Sequence, residues 1–281
     1  MKTIVCLNNK GGVGKTATVT TVAHMLATVH NQRVIVIDMD PQGNTSNLYG
    51  TTDFIALIKA RMNKLDLPEL YSVGDLLIND ELDPKEVIRN TNYDNLDLLP
   101  SYPTLAAIEE KLKADIKRPQ QFRLSGQLQK IADQYDYCLI DCAPSLSILN
   151  INALVAADEV YIPTLADDGS LFGIELTISE LITAVQRYTP NLKVGGIFFT
   201  RCKANYNVSK YARELLENVY ADMMLPISIN ENVAVADCSH HHMPLLAYDP
   251  HKKAKATRDY LALTDYIMAP NKKVFLKGYV E

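Results

Sequence analysis

Residues 8–16 read Asn-Asn-Lys-Gly-Gly-Val-Gly-Lys-Thr, and this stretch decides the fold of the chain. An apolar run at residues 3–7 precedes it, and a helical pattern begins near Thr16. A strand, a glycine turn and a helix start make a loop that cradles phosphates, because glycines let backbone N–H groups approach and the helix N-terminus adds the positive end of its dipole. In such a loop Lys15 reaches the β- and γ-phosphates, and the Thr16 hydroxyl ligates Mg²⁺.

A second lysine inside the loop departs from the common phosphate-loop pattern. Counting back from Lys15, the usual first glycine falls at Asn9, and Lys10 follows it. The loop geometry does not require a basic residue at this position. Lys10 is therefore either an additional phosphate ligand or a group that serves a neighbouring molecule.

Composition limits the classes of protein to which the chain can belong. Its 281 residues are 47% apolar, and the net charge of −5 gives no overall positive field that would attract nucleic acid or a membrane. The five cysteines favour reduced thiols over a disulfide framework. We find neither a signal-peptide pattern nor an apolar run of about 18 residues that could span a bilayer. These observations favour a cytoplasmic protein.

Short β-branched runs alternate with longer helical patterns along the chain. The predicted strands are 3–7, 33–38, 95–99, 136–141, 158–163 and 193–200. The predicted helices are 15–30, 104–114, 122–135, 148–156, 171–188, 207–221 and 255–268, with shorter pieces at 54–64 and 73–78. Apolar strands separated by helices predict a doubly wound α/β fold, a mostly parallel sheet with helices on both faces. We expect one ATPase domain over 1–281, with 51–92 as an irregular segment.

Three aspartates follow or close predicted strands, where ligands of such sheets bind. Asp38 and Asp40 lie two residues apart and point the same way in an extended segment. Beside a triphosphate we assign Asp38 to the water shell of the metal and Asp40 to orienting the attacking water. Asp141 closes another apolar strand and is the second Mg²⁺ element of such a site. The alternative for each is an aspartate that only ends a strand before a proline turn.

Together these motifs resemble those of the ParA/MinD family of deviant phosphate-loop ATPases, and within it the small ParA/Soj type. The loop 10–16 and the DMDPQGN run at 38–44 match the family signatures. The IDCAPS run at 140–145, the INAL run at 151–154 and the YDP run at 248–250 are similar to further family elements. The resemblance covers most of the chain and is poorest over 51–92.

The resemblance implies an ATP-driven, face-to-face homodimer with slow intrinsic ATP hydrolysis. Lys10 of each subunit would reach the phosphates bound by the other, as an arginine finger does. A ParB-like centromere-binding partner would stimulate hydrolysis, and the ATP dimer would bind DNA without sequence preference. The implied catalytic residues are Lys10, Lys15 and Asp40. The implied ATP-binding residues are Lys10, Gly11, Gly12, Val13, Gly14, Lys15, Thr16, Ala17 and Asn232, and the implied Mg²⁺ residues are Thr16, Asp38 and Asp141.

Four positions depart from the family pattern. Ala17 replaces a threonine near the α-phosphate, and Ala143 replaces a proline. Glu231 and Ala234 stand where the family carries arginines, which weakens the implied DNA-binding surface. Two groups of basic residues could compensate, and the alternative for both is a solvated helix face. They are Arg201, Lys203, Lys210 and Arg213, and Lys252, Lys253, Lys255 and Arg258.

The leading hypothesis is a DNA-partitioning ATPase for a plasmid, a mobile element or a chromosome, associated with the nucleoid if it binds DNA. The alternative is a ParA-like ATPase that positions a protein cargo or a cell-division component. A membrane-bound version is disfavoured because the tail 268–279 is broken by proline and glycine and shows no amphipathic helix. A metabolic synthetase on the same scaffold is disfavoured by Lys10 together with the 38–44 motif. The three histidines at 240–242 are expected to lie in a loop without a metal.

Overall fold

A computed structural model describes residues 1–50, 62, 71–203, 207–270 and 272. A single eight-stranded sheet organises these residues, in the order β3-β4-β2-β5-β1-β6-β7-β8. The strands are β1 (Lys2–Cys6), β2 (Val34–Met39), β3 (Arg89–Asn90), β4 (Leu96–Leu99), β5 (Tyr137–Cys142), β6 (Glu159–Thr164), β7 (Lys193–Cys202) and β8 (Met224–Asn230). All neighbouring strands pair in parallel except β3 and β4, which are antiparallel. The predicted mostly parallel α/β sheet is confirmed.

Helices connect the strands and cover both faces of the sheet. In chain order they are α1 (Lys15–Thr28), α2 (Asn44–Leu48), α3 (Val73–Ile78), α4 (Pro84–Val87), α5 (Leu105–Ala114), α6 (Arg123–Gln129), α7 (Ile148–Val155), α8 (Asp168–Glu175), α9 (Thr183–Gln186), α10 (Asn207–Tyr220), α11 (Val233–His240), α12 (Leu245–Tyr248) and α13 (Lys255–Met268). A π-helical segment, Leu176–Ile182, joins α8 to α9. None of the helices in the described ranges is long and apolar enough to cross a bilayer.

Alternating side chains of the central strands build two hydrophobic cores. In β2, Val34 and Val36 pack on the face covered by α1 and α13, whereas Ile35 and Ile37 pack on the face covered by α3, α6 and α7. Every residue of β2 is buried. Such a strand reads as a continuous apolar run because neither of its faces meets water.

The six predicted strands are all present, with ends that differ by at most two residues. Two further strands are missing from the prediction, and both lie at the edges of the sheet. β8 contains Pro226, which is exposed, and alternates between buried residues and residues that are at least partly exposed. Proline is tolerated at a sheet edge because no neighbouring strand needs its N–H, so a proline-containing run gives a weak strand signal. β3 has only two residues and no apolar side chain.

The predicted helices are present with two differences in extent. The helix predicted at 122–135 is shorter in the structure, because α6 ends at Gln129 and turns follow it. The helix predicted at 171–188 begins earlier, at Asp168, and includes the π-helical segment. The predicted piece at 73–78 is α3, whereas the piece at 54–64, apart from Met62, lies outside the described residues. The described part of 51–92 holds α3, α4 and β3.

Candidate functional site

The loop between β1 and α1 is shaped by two glycines in the left-handed backbone region. Gly12 has φ +73° and Gly14 has φ +86°, values that strain residues with a Cβ atom. Gly14 is the N-cap residue of α1, and no side chain of the described chain caps this end. The first N–H groups of a helix have no intrahelical acceptors, so this helix N-terminus is available to an anion.

A cavity of about 540 Å³ lies against this loop, at the carboxyl ends of the central strands. Its size is within the usual range for small-molecule sites. The cavity is lined by Gly11, Gly12, Gly14, Lys15, Thr16, Ala17, Asp40, Gln42, Asn44, Asn47, Leu48, Cys142, Pro144, Ser239 and His242. Six of the predicted loop residues, Gly11, Gly12, Gly14, Lys15, Thr16 and Ala17, thus line one cavity together with Asp40. The predicted site residues Lys10, Val13, Asp38, Asp141 and Asn232 are not among its lining residues.

Lys15 is a buried cation whose hydrogen-bond partners are neutral. Its Nζ donates to the backbone carbonyl oxygens of Asn8, at 3.1 Å, and Lys10, at 3.0 Å. Only 7% of the residue is exposed, and burial lowers the pKa of Lys15 although nearby acidic groups such as Cys6 and Asp141 oppose this shift. A buried cation held by carbonyl groups gains from an added anion, since burial costs least when a charge is paired.

Asp141, at the carboxyl end of β5, connects the loop to α2. Its Oδ2 accepts hydrogen bonds from the hydroxyls of Thr16, at 2.7 Å, and Thr45, at 2.8 Å. Its Oδ1 is buried and has no hydrogen-bond partner among the described residues. Burial raises the pKa of the Asp141 carboxyl, and the two threonine hydroxyls oppose this shift. One carboxylate oxygen therefore lacks a ligand directly behind the loop.

Asp38 lies opposite Asp141 in the register of β2 and β5 and is fully buried. Its Oδ2 accepts from the N–H of Ser46, at 2.8 Å, and from the Ser46 hydroxyl, at 2.7 Å, and its Oδ1 accepts from the N–H of Asp40, at 3.1 Å. Burial and the charge of Asp141 both raise the pKa of Asp38. Asp40, one residue beyond β2, instead lines the cavity, and its side chain accepts from the N–H of Gln42. Asp38 thus lies behind the cavity wall, and Asp40 is part of the wall.

These residues fit a nucleotide with Mg²⁺. Asp141, which has one unpartnered oxygen, accepts from the hydroxyl of Thr16, and the buried Asp38 lies opposite Asp141 on the neighbouring strand. Oxygen ligands of this kind suit Mg²⁺, which is bound by one or two carboxylates together with phosphate oxygens and water. Lys15 and the N-terminus of α1 supply the positive charge that a polyphosphate needs.

Lys10 points away from the cavity, to the helix that follows β6. Its ammonium group forms an ion pair with Asp167 and contacts the Ser170 hydroxyl at 3.3 Å. Asp167 is the N-cap residue of α8, and its carboxylate also accepts from the N–H and the hydroxyl of Ser170, each at 2.9 Å. Burial alone would raise the pKa of Asp167, but the hydrogen bonds from Lys10 and Ser170 outweigh burial and lower this pKa. The side chains are 26% (Lys10) and 44% (Asp167) exposed, so the pair lies at a solvent-facing rim.

α8 and the π-helical segment pack closely on the loop. A Cβ atom at Gly173 would come within 2.7 Å of Asn8 Oδ1 and 3.1 Å of Lys10 Cβ. The N–H of Asn9 donates to the hydroxyl of Thr177 at 3.0 Å. π-helical segments are rare in proteins but occur often at functional sites, and this hydrogen bond places the π-helical segment directly against the loop.

Asn232 lies beside the loop, in a second cavity of about 480 Å³. It is the N-cap residue of α11, where its side chain accepts from the N–H of Ala234 at 3.0 Å. This cavity shares Gly14 and Ala17 with the first one. The arrangement brings Asn232 to the phosphate loop, in agreement with its assignment as a nucleotide-site residue, which stays a prediction.

Several cavity residues escape the sequence reasoning. Asn44 and Asn47 lie in α2, and Asn44 belongs to the 38–44 motif that draws attention to its aspartates. Ser239 and His242 come from α11 and the turn after it, where His242 has φ +52°. The histidine run was the only signal there, and no group of three acidic, histidine or cysteine side chains suited to a metal occurs in the described ranges.

The two basic groups differ in their partners. Arg201 and Lys203 lie 3.6 and 3.2 Å from the carboxylate of Glu231, and Arg213 donates to the Ser228 hydroxyl at 2.8 Å. Lys210 belongs to the helix α10, and its side chain is outside the described atoms.

The second basic group lies just before α13 and in its first turn, and fewer carboxylates lie near its positive charges. Its members are Lys252, Lys253, Lys255 and Arg258. Arg258 donates to the backbone carbonyls of Lys252 and Lys253, at 2.7 and 3.0 Å. Lys253 and Lys255 are exposed, Lys252 is half-buried, and none of the three has an ion pair within the described part of the chain. Glu231 therefore reduces the positive charge around Arg201 and Lys203, whereas Lys252, Lys253 and Lys255 have no ion pair among the described residues.

Comparison with known proteins identifies the family. A family model described as an AAA domain matches residues 1–194. The sporulation initiation inhibitor protein Soj of Bacillus subtilis is 31% identical over 268 residues, which cover 95% of this chain and 98% of Soj. The chain belongs to the ParA/Soj-type family of partition ATPases. The chromosome partitioning protein ParA of Myxococcus xanthus is also 31% identical to this ParA-like ATPase, over 94% of the chain and 87% of that protein.

The fold of this ParA-like ATPase also occurs in a metabolic enzyme. Cobyrinic acid a,c-diamide synthase of Mycobacterium smegmatis, solved with a bound ATP analogue and magnesium, superposes with a TM-score of 0.74. It is 25% identical and covers 97% of this chain, and the match spans 98% of the synthase chain. A shared scaffold does not fix the function, so the partition relatives carry the assignment through their sequences.

Proposed function

We propose that this ParA-like ATPase is an ATP-dependent dimerising switch for DNA partitioning. The observation that carries the proposal is the position of Lys10, which belongs to the phosphate loop but lies outside the nucleotide cavity at an exposed rim. A loop lysine directed away from its own cavity is suited to reach a nucleotide held by a second copy. Dimerisation would then depend on the nucleotide, because each Lys10 finds its ligand only in the partner.

In this proposal the loop from Gly11 to Ala17 holds the phosphates of ATP through its N–H groups, with Lys15 as the internal counter-charge. Thr16, Asp38 and Asp141 hold Mg²⁺, directly or through water, and Asn232 lies on the side of the base. When bound, Mg²⁺ neutralises charge on the phosphates and helps to fix their orientation. The protein's own contribution is to position and to neutralise, as in phosphoryl transfer generally.

Asp40 is the residue proposed to orient the attacking water, because its carboxylate lines the cavity. Lys10, supplied in trans, would stabilise the charge that develops during hydrolysis. With Lys10 held by Asp167 in the single chain, the isolated subunit lacks this charge. Slow intrinsic turnover is expected from this incomplete site, and stimulation by a ParB-like centromere-binding partner is proposed from the kinship with partition ATPases.

DNA binding is proposed for the surface formed by Lys252, Lys253 and Lys255. These lysines lack compensating carboxylates in the described structure, and a dimer doubles their number. Binding through phosphates is independent of sequence and weakens steeply with salt. Such a protein would associate with the nucleoid in its ATP state and leave it after hydrolysis.

The test is binding of a fluorescent DNA duplex, measured by anisotropy at several salt concentrations with ATP or ADP. We expect binding with ATP only, and a salt dependence whose slope falls by roughly 0.9 for each phosphate contact removed. The variant Lys252→Glu/Lys253→Glu/Lys255→Glu should lose most of this binding. Arg201→Gln is the matched control, because Glu231 already compensates its charge. Equal affinity with ATP and ADP would refute the switch.

A second candidate function, positioning of a protein cargo, is favoured by Glu231. This carboxylate lies near Arg201 and Lys203, at the family position that otherwise carries an arginine, and so reduces the positive charge of that surface. Under this hypothesis ATP still drives dimerisation, measured by sedimentation, while DNA affinity stays at the background of the triple-glutamate variant. The same anisotropy titration separates the two functions.

A further inference from the structure

A third cavity lies apart from the nucleotide site, between the end of α3, residues 115–119 and α6. Its volume is about 330 Å³, and it shares no lining residue with the nucleotide cavity. The lining is Asp80, Arg118, Pro119, Phe122, Arg123, Gly126, Gln127 and Lys130. None of these residues takes part in the functions described above.

Arg123 is a buried guanidinium with one nitrogen that lacks a hydrogen-bond partner among the described residues. Its Nε donates to the carbonyl of Pro119 at 3.2 Å, and its Nη2 donates to Asp115 Oδ2 at 2.8 Å. The side chain is only 4% exposed, yet its Nη1 is buried with no hydrogen-bond partner among the described residues. Asp80 Oδ1 lies 3.8 Å from this nitrogen, beyond hydrogen-bond distance.

An unsatisfied buried donor of this kind costs free energy in the unliganded protein. A guanidinium carries five N–H donors in a planar fork, and those of Arg123 Nη2 are taken by Asp115 Oδ2 and, at 3.4 Å, by the carbonyl of Arg118. The unpartnered Nη1 can donate a charge-assisted hydrogen bond to one oxygen of a carboxylate. Gln127 adds a second buried atom without a partner, since its Oε1 is unsatisfied while its Nε2 donates to the backbone. The cavity wall thus offers a hydrogen-bond donor to an anion, Arg123 Nη1, and an unpartnered hydrogen-bond acceptor, Gln127 Oε1.

The charges around the cavity leave a positive surplus. Arg118, Arg123 and Lys130 line it, and the carboxylates near them are Asp80 and Asp115. Arg118 contacts both carboxylates, whereas the ammonium of Lys130 donates to the backbone carbonyl of residue 80 at 2.7 Å. In a chain with a net charge of −5, such a surplus marks a local site for an anion.

Apolar side chains extend the surface beyond the cavity. Phe122 lines the cavity and is 40% exposed, and its ring meets that of Tyr188 edge to face at 5.9 Å. Tyr188 is itself 55% exposed, and Ile116, in the turn that carries Arg118, is 91% exposed. Exposed aromatic side chains next to arginines are typical of the centres of protein interfaces.

We propose that this cavity and its apolar rim bind an acidic peptide segment of a partner protein, with a glutamate or aspartate carboxylate on Arg123 and an apolar side chain against Phe122. A peptide is favoured over a small free carboxylate because the apolar surface continues outside the cavity to Ile116 and Tyr188, where only a longer ligand makes contact. It is favoured over nucleic acid because three cations against two carboxylates leave a small positive surplus here, whereas binding of a continuous phosphate backbone needs several uncompensated cations.

The test is fluorescence anisotropy of a labelled peptide, EELEE, with the full-length protein at low salt. We expect saturable binding that weakens with salt, and a loss of about tenfold or more for the peptide QQLQQ, since each charge-assisted hydrogen bond contributes more than a neutral one. Replacing leucine by glycine, in EEGEE, should also weaken binding. Peptide-induced protection from hydrogen exchange should be confined to residues 115–130 and their neighbours.

Variants locate the binding site without disturbing Arg123, whose removal could unfold the region. Arg118→Gln/Lys130→Gln should weaken EELEE binding about tenfold, and Phe122→Ala should weaken it severalfold. Lys193→Gln, an exposed lysine outside the cavity, is the matched control and should leave affinity unchanged. Unchanged affinity in the first two variants, absence of EELEE binding, or equal binding of QQLQQ would overturn the proposal. If free glutamate at the same concentration as EELEE displaced the labelled peptide, the cavity would be a site for a small carboxylate, and the proposal of a peptide ligand would be wrong.

Discussion

The phosphate loop contains two lysines five residues apart, and their surroundings differ in burial, in charge and in hydrogen-bond partners. We call the buried surroundings of Lys15, with Asp38 and Asp141, the inner region, and the partly exposed surroundings of Lys10, with Asp167, the outer region. Lys15 is 7% exposed and donates only to backbone carbonyls of its own loop. Lys10 is partly exposed and pairs with a carboxylate on α8, more than 150 residues further along the chain. The backbone fixes the inner lysine, whereas the outer one is held by a side chain that it can leave. A fixed charge suits binding, and a releasable charge suits a switch.

The largest expected effect is on ATP turnover, and it tests whether the outer lysine, Lys10, acts in hydrolysis without contributing to nucleotide binding by its own subunit. Lys10→Ala should reduce the ATP turnover of the assembled protein by about 10³-fold, the lower end for a charge supplied in trans. Affinity of the monomer for ATP should stay within about twofold, because Lys10 does not line the cavity. Turnover under stimulation and nucleotide titration of the dilute monomer measure the two quantities. If the Lys10→Ala monomer also lost nucleotide affinity, Lys10 would contact the nucleotide bound by its own subunit. The proposed difference in role between Lys10 and Lys15 would then be wrong.

The next effect concerns the inner lysine. Lys15→Ala should lower nucleotide affinity by roughly 100-fold, as expected for the loss of charge-assisted hydrogen bonds to phosphates in a buried site. Isothermal titration with a non-hydrolysable ATP analogue measures it, with the thermal unfolding midpoint as a control for folding. Affinity equal to that of the unaltered protein would show that the buried ammonium does not contact the nucleotide.

A smaller effect tests the buried carboxylates of the inner region through pH. An aspartate has an ordinary pKa near 4, and burial raises the pKa of Asp38 to about 7. The folded state therefore keeps a proton that the unfolded state releases, and the contribution of Asp38 to stability declines as pH rises from about 4 to 7. We expect Asp38→Asn to flatten the pH dependence of the free energy of unfolding by roughly 1–3 kcal/mol over this window. Denaturant unfolding of both proteins between pH 5 and 7.5 measures the difference, and identical slopes would contradict it.

The smallest effect concerns the ion pair of the outer region. Asp167→Asn removes the charge that holds Lys10 and should favour ATP-dependent dimerisation by up to about fivefold, since partly exposed ion pairs contribute at most about 1 kcal/mol. Sedimentation over a protein concentration series measures the dimerisation constant. Glu175→Gln, on the same helix, is the control. Weaker dimerisation in Asp167→Asn would mean that Asp167 supports the dimer instead of competing with it.

Much of the inner region is predictable because its signals are local. The residues 8–16 specify a turn, a helix start and a buried lysine within one short segment, and the alternating core of β2 follows from a run of apolar residues. The same reasoning misses His242 and Ser239, which line the cavity at the phosphate loop from α11 and the turn after it. It also misses β8, whose proline is acceptable only because the strand lies at the edge of the sheet.

The sequence by itself determined the parallel α/β class, the phosphate loop and the three aspartates at the ends of strands, because periodicity and short motifs act over neighbouring residues. Only the tertiary structure decided that Lys10 pairs with Asp167, that Glu231 lies near Arg201 and Lys203, and that Arg123 keeps an unpartnered Nη1 in a separate cavity. These features depend on which charges the fold brings within a few ångströms and on how much water it leaves around them. Charge and burial of that kind are properties of distant segments in contact, and no local pattern in the chain carries them.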